Sequence, residues 1–183
     1  MKKRFFKFYT ISDWIEEEEW LREQSKKGLK LCKLNPPISY VFEETEPEDV
    51  IYKLEYRNAK AELDCNQMYK DYGWEFCGSC FGWNYYRKPA SQINSENEGE
   101  LFSDKESKIE MLERIIKTRM LPLIALFLCC ILPNLTRLLE MTNKSVFDCI
   151  FVGFFTVLFF FYIYIFIHCG SKLKKLKKDL EKL

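Results

Sequence analysis

Histidine is nearly missing: the chain has one, His168, in 183 residues. It sits in an apolar run beside Cys169, so no Ser-His-Asp, Cys-His or multi-histidine metal arrangement is expected within one chain. A side chain at a membrane interface accounts for it better than a catalyst does. A basic surplus is missing as well. Lys and Arg number 28 against 27 acids, and Met1 to Pro89 carries 15 basic residues against 16 acidic ones. A nucleic-acid binder shows its positive charge on the folded domain, so direct nucleic-acid binding is not expected. The N-terminus, MKKRFFKFYT, has positive charge before aromatics but lacks the long apolar stretch and small-residue cleavage site of a signal peptide. The head is therefore expected in the cytoplasm, and a reducing compartment keeps its cysteines as thiols.

What the chain does have is a long apolar run in its second half. Ile150 to Ile167 is eighteen residues without a charge, and Met120 to Gly170 holds only Arg137, Glu140, Lys144 and Asp148 as charged residues. A helix that crosses the hydrocarbon needs about 20 mainly apolar residues. Residues 147–170 are read as one transmembrane span, preceded by a short outer loop at 140–146. Residues 106–139 are read as a juxtamembrane helix and a first span, with a re-entrant or interfacial helix as the alternative; Pro122 costs little there, and Pro133 should kink or end the helix. Arg114, Lys117 and Arg119 precede the first span. Lys172, Lys174, Lys175, Lys177 and Lys178 follow the second. The positive-inside rule then places both termini in the cytoplasm. Residues 171–183 read as a basic amphipathic tail for the anionic membrane surface, or as a helix that pairs with residues near Ile109 and Ile116.

Residues 1–90 show a repeat. Phe6 and Phe8 alternate with Lys7 like a half-buried strand. Ser12 caps a helix with Trp14, Leu21 and Ser25 on its inward face, and Gly28 ends it. Leu29 to Leu31 and Tyr40 to Phe42 are strands about an Asn35-Pro36-Pro37 turn. The order then recurs: a strand at Tyr52 to Tyr56, a helix from about Ala59 to Tyr72, and strands at Trp74 to Phe76 and Trp83 to Tyr85 about a Gly78-Ser79 turn. Adding 45 maps Gly28 onto Gly73, Leu31 onto Phe76, Cys32 onto Cys77 and Tyr40 onto Tyr85. A duplicated βαββ domain follows, an α+β ferredoxin-like sandwich with one shared sheet and both helices on one side. Residues 91–105 are polar and read as a flexible linker.

The run Gly73-Trp74-Glu75-Phe76-Cys77-Gly78-Ser79-Cys80-Phe81-Gly82-Trp83-Asn84-Tyr85-Tyr86-Arg87-Lys88-Pro89 carries a resemblance. With Tyr40-Val41-Phe42-Glu43 and Glu19-Trp20-Leu21, it resembles the bacterial domain of unknown function family 2812 over roughly residues 4–90. The resemblance implies a head with membrane helices in a Gram-positive bacterium, often encoded beside PadR-like regulators. It brings no activity and no catalytic residue.

Site candidates are few. Cys77-Gly78-Ser79-Cys80 has the CxxC spacing of zinc and redox sites, and a metal would need Cys32 and Cys65 to converge with it. Buried thiols are the alternative. Trp74, Trp83 and Tyr85 are placed on an uncovered sheet face, where core packing, partner docking and ligand binding all stay open. Glu16 to Glu19 reads as a solvated helix face. No cofactor is expected. The functional expectation is a membrane-anchored regulatory or sensory protein, not an enzyme, whose partners are the lipid bilayer and a protein such as a regulator or transporter. The alternative is a homo-oligomeric accessory subunit for small-molecule binding or transport. A thiol oxidoreductase using Cys77 and Cys80 stands third.

Overall fold

The computed structural model describes residues 1–35, 39–57, 62–101, 105–134 and 146–182, without the side chains of 62–66, 96–97, 148–149 and 182. The Pro36-Pro37 turn, the start of the second helix at 59–61, the Cys65 side chain, Arg137 and the loop at 140–145 lie outside the described residues. The chain divides into two units, Met1–Met111 and Leu112–Leu183.

The first unit runs β1 (Lys2–Phe6), α1 (Trp14–Lys26), β2 (Leu29–Asn35), β3 (Ser39–Glu44), β4 (Val50–Tyr56), α2 (Glu62–Asp71), β5 (Glu75–Cys80), β6 (Trp83–Pro89). The β-α-β-β order thus occurs twice, and both halves have the same antiparallel strand order, β1-β3-β2 and β4-β6-β5. They form two three-stranded sheets and not the one shared sheet expected from sequence. The reason lies in β2 and β5. Each has a register shift, between Leu31 and Lys33 and between Phe76 and Gly78, at positions 45 apart. A bulge bends its strand and breaks the regular ladder. Side chains join the sheets instead: Arg87 Nη1 donates to the Leu31 carbonyl at 2.8 Å, and the Leu31 N–H donates to the Tyr52 hydroxyl at 3.4 Å.

Alternation along β6 fixes where the helices lie. Trp83 stacks near Trp14 of α1 at 5.5 Å, and the Tyr85 hydroxyl reaches Glu17 of α1. On the opposite face, Tyr86 meets Tyr69 of α2 at 4.9 Å, and Lys88 donates to the Tyr72 carbonyl. The two helices therefore cover opposite faces of the second sheet, which corrects the expectation that both lie on one side. Residues Trp83 to Lys88 are all buried, as a strand covered on both faces requires. Helix α1 also covers the first sheet, where Trp20 packs on Tyr40 at 5.0 Å and Phe42 at 5.7 Å. Its buried face, Trp14, Glu17, Leu21, Gln24 and Ser25, follows helical spacing. Leu21 is fully buried, worth about 2 kcal/mol or more relative to exposure. Asp13, not Ser12, is the residue before the first turn; Ser12 is wholly buried, with its hydroxyl 2.9 Å from that of Thr10.

The outer edge of β4 is covered too. Its Val50, Leu54 and Tyr56 N–H groups donate to Ser25 Oγ, Glu18 Oε1 and the Met111 sulfur. Covering an edge in this way blocks unwanted strand pairing. The polar segment after β6 is not a free linker. Ala90 N–H bonds the Asp49 carbonyl, two 3₁₀ turns span Ala90–Gln92 and Glu96–Gly99, and Glu98 accepts from the Asn94 N–H at 2.9 Å. Glu100 pairs with Lys53 at 2.7 Å and Lys108 at 3.0 Å, while Leu101 packs on the Tyr69, Trp74 and Tyr86 cluster. The head thus extends past residue 90 to Met111.

Two helices long and apolar enough to cross a membrane follow, Lys105–Asn134 and Ile150–Glu181, the latter within a helix over Val146–Lys182. The first contains π-helical stretches at Ile116–Met120 and Phe127–Ile131, a few residues before Pro122 and Pro133. Wider turns of this kind absorb the hydrogen bonds that proline cannot make. The helix continues through Pro133 to Asn134, whose side chain donates to the Cys130 carbonyl at 2.6 Å. Within the second unit the helices run antiparallel. Phe127 packs against Phe159, Tyr162 and Phe166, and Lys177 pairs with Glu113 at 2.9 Å. The basic tail is a continuation of the second helix, with Leu173 buried and Leu176 and Leu180 half-buried on one side.

Candidate functional site

The three aromatics proposed from sequence do not share a face. Trp83 and Tyr85 lie inward beneath α1, and Trp74 lies on the opposite side of the sheet with Tyr69 and Tyr86. None lines an uncovered sheet face. Trp83 is wedged between Trp14 and Tyr56 at 5.5 and 5.3 Å, a packing role.

Tyr85 belongs to a buried polar centre that the sequence reading missed. Its hydroxyl and that of Tyr40 each donate to Glu17 Oε1 at 2.7 Å. The two tyrosines occupy equivalent positions in the two sheets, so one carboxylate from α1 ties both sheets together. Burial pushes the Glu17 carboxyl above the usual range, against the lowering effect of both hydroxyls. The same burial, with the nearby Glu17 charge, raises both tyrosines. Glu18 is held by the Leu54 N–H at 2.8 Å and Lys53 at 3.2 Å, yet burial still pushes it up to about 7. The run Glu16 to Glu19 is therefore not one solvated face: Glu16 and Glu19 are exposed, and Glu17 and Glu18 point inward. The spacing from Trp14 and to Leu21, three and four residues, is the signal that places Glu17 among the buried positions.

Trp74 borders the roomier cleft. Met68, Tyr69, Tyr72, Trp74, Lys88 and Leu101 line it, with Glu98 and Glu100 at its polar side, and it encloses about 280 Å³. That is close to the lower limit of small-molecule sites. Tyr69 and Trp74 are buried in its floor, and Met68 and Tyr72 are exposed at its rim. Beneath it, the Tyr69 hydroxyl donates to the buried Glu55, which also pairs with Arg57 at 2.5 Å. A second hollow of about 80 Å³ lies beside Tyr52, Glu75 and Arg87, and Arg87 and Glu75 close it with a two-pronged ion pair.

The cysteines do not form a centre among the described residues, where no group of three metal-ligating side chains occurs. Cys77 lies at the bulge of β5 and Cys80 at the end of that strand, away from any helix N-terminus. Burial pushes the Cys77 thiol up to about 12 and raises Cys80 and Cys32. A redox CxxC needs the opposite shift. Of the five lysines assigned to the membrane surface, Lys174, Lys175 and Lys178 are exposed, Lys172 is half-buried, and Lys177 is paired with Glu113.

A two-sheet α+β head joined to two helices long and apolar enough to cross a membrane defines the class of this protein. The chain belongs to the family described as protein of unknown function (DUF2812), whose model matches residues 13–126. The matched stretch includes the 90–101 segment and runs into the first apolar helix, so the family unit is larger than the head repeat alone. No curated protein and no solved structure matches the chain.

Proposed function

We propose that this protein is a regulatory or sensory module anchored in the bacterial cell membrane by a helical hairpin, with both termini in the cytoplasm and a head that binds a small ligand or a protein partner. The repeated β-α-β-β order, with bulges at equivalent positions, supports reading the head as a duplicated, ferredoxin-like unit. The observation that carries the functional reading is the position of the cleft. One wall, Glu98 to Leu101, is the segment that leads within a few residues to the first apolar helix at Lys105. An occupant must contact that wall, so binding bears on the last part of the head, the part that leads into the anchor. This is the differential contact that a switch needs.

A photo-crosslinking residue in place of Tyr72, at the cleft rim, tests this in cells that express the full chain. It is expected to trap a reproducible protein or small-molecule adduct that the same residue in place of Phe154, on the exposed apolar face of the second helix, does not. If both positions trap the same set of molecules, the head has no dedicated occupant and the reading fails.

A further inference from the structure

Lys88 is the unusual group in the cleft. It is 6% exposed, and its ammonium donates to the Tyr72 carbonyl at 3.0 Å. Among the described residues no carboxylate pairs with it. The two acids that border the cleft have other partners. Glu98 accepts from the Asn94 backbone and side chain, and Glu100 holds Lys53 and Lys108. The stem of Lys88 lies against Gly73, where an added Cβ would stand 3.4 Å from Lys88 Cε and 3.8 Å from Nζ. A buried ammonium without a counter-ion is costly, and each N–H left without an acceptor adds to the cost. Around it stand a Tyr69 and Trp74 floor, a Met68 and Tyr72 rim and the Leu101 wall.

We infer that this cleft is a binding site for an amphipathic anion, one acidic head group on a compact aromatic or short acyl body, with Lys88 as its counter-ion. The inference rests on the reading of the head as a ligand-binding module and names the ligand class. The head group receives the Lys88 donors that Tyr72 does not use. The body lies on Tyr69 and Trp74, where aromatic faces and the Met68 side chain bury it. A volume of about 280 Å³ suits one or two fused rings and excludes a full-length lipid chain. The competing role for Lys88 is as a cap on the C-terminal carbonyls of α2. A cap makes no distinction between charged and uncharged ligands.

The test uses the full chain in lipid nanodiscs and three probes of one shape, 2-naphthoate, 2-naphthalenemethanol and 2-naphthylmethylammonium, titrated calorimetrically against empty nanodiscs. The naphthoate is expected to bind at least about tenfold more tightly than the alcohol, and the ammonium not at all. Lys88→Met should lose about tenfold or more of naphthoate affinity and leave the alcohol unchanged, whereas Lys88→Arg should keep most of it. If Lys88→Met does not fold, Leu101→Trp, which fills the cleft from its partly exposed wall, should abolish binding of both the naphthoate and the alcohol. Equal binding of the three probes, undiminished naphthoate binding in Lys88→Met or Leu101→Trp, or no naphthoate binding to the folded chain overturns the inference. A specific adduct at position 72 would still support an occupant of other chemistry.

Discussion

Two phenols on one carboxylate oxygen make Glu17 the smallest unit that holds the head together. Tyr40 sits in the middle strand of the first sheet and Tyr85 in the middle strand of the second, and neither sheet shares a ladder with the other. A hydrogen bond to a charged group is worth about 1.5–3 kcal/mol, and a buried charge left bare costs more. Tyr40→Phe and Tyr85→Phe should therefore each destabilise the head by about 1–2 kcal/mol. The double variant should lose more than the sum, because the first substitution leaves one donor and the second leaves none. Chemical denaturation followed by tryptophan fluorescence reads this directly, since all four tryptophans lie in the head. Additive losses would show that the two bonds act independently. At this scale the sequence was informative about pairing and silent about purpose. The 45-residue offset brought Tyr40 and Tyr85 into correspondence, but an aromatic in a strand reads equally well as core, docking surface or pocket. Only the helix that covers it decides, and that depends on long-range packing.

Among the elements, the β5–β6 hairpin shows how a motif can be placed one step wrong. Gly78-Ser79 looks like a turn, but β5 runs on to Cys80, and the turn is Phe81-Gly82 with φ of 50° and 84°. Gly78 instead follows the bulge. Positive φ at both central positions defines the type I′ turn, which favours Asn-Gly. Phe81 is a poor choice for it, since a bulky side chain in the left-handed region costs roughly 1–2 kcal/mol, and it is 59% exposed. Phe81→Asn should raise the head's stability by about 1 kcal/mol, seen as a higher denaturation midpoint at unchanged slope. A loss of stability would mean that the exposed ring makes contacts that outweigh its strain. The misplacement has a physical cause: glycine suits both a bulge and a turn, and a bulge resets the alternation used to count strand residues. The expected linker at 91–105 has a related cause. Its polar composition matches a linker, but over 91–101 its groups have partners, Asn94 with Glu98 within the segment and Glu100 with Lys53 and Lys108 outside it.

Across the molecule as a whole, the exposed apolar surface is concentrated on the two long helices. Phe147, Phe154, Val157, Phe160, Tyr164 and Ile167 on the second helix are each more than half exposed, as are Leu121 and Leu128 on the first. A patch of this extent is not tolerated in water. The eighteen uncharged residues at Ile150 to Ile167 made the second helix plain from composition alone. The first was harder to read, because proline within an apolar run signals an ending unless a wider helical turn absorbs it, and composition does not report helical pitch. The antiparallel contacts, Glu113 with Lys177 and Phe127 with Phe159 and Phe166, put the basic flanks of both helices at the same end of the hairpin. Since cationic flanks stay on the cytoplasmic side, tags fused at either end of the full chain should resist protease in intact cells and be cut in inverted vesicles. A cysteine in place of Ser145, in a chain otherwise free of cysteine, should be labelled from outside by a membrane-impermeant maleimide. Labelling of Ser145→Cys in inverted vesicles alone, with both tags protected in intact cells, would place the loop on the inner side with the basic flanks, and no bilayer-crossing hairpin is compatible with that.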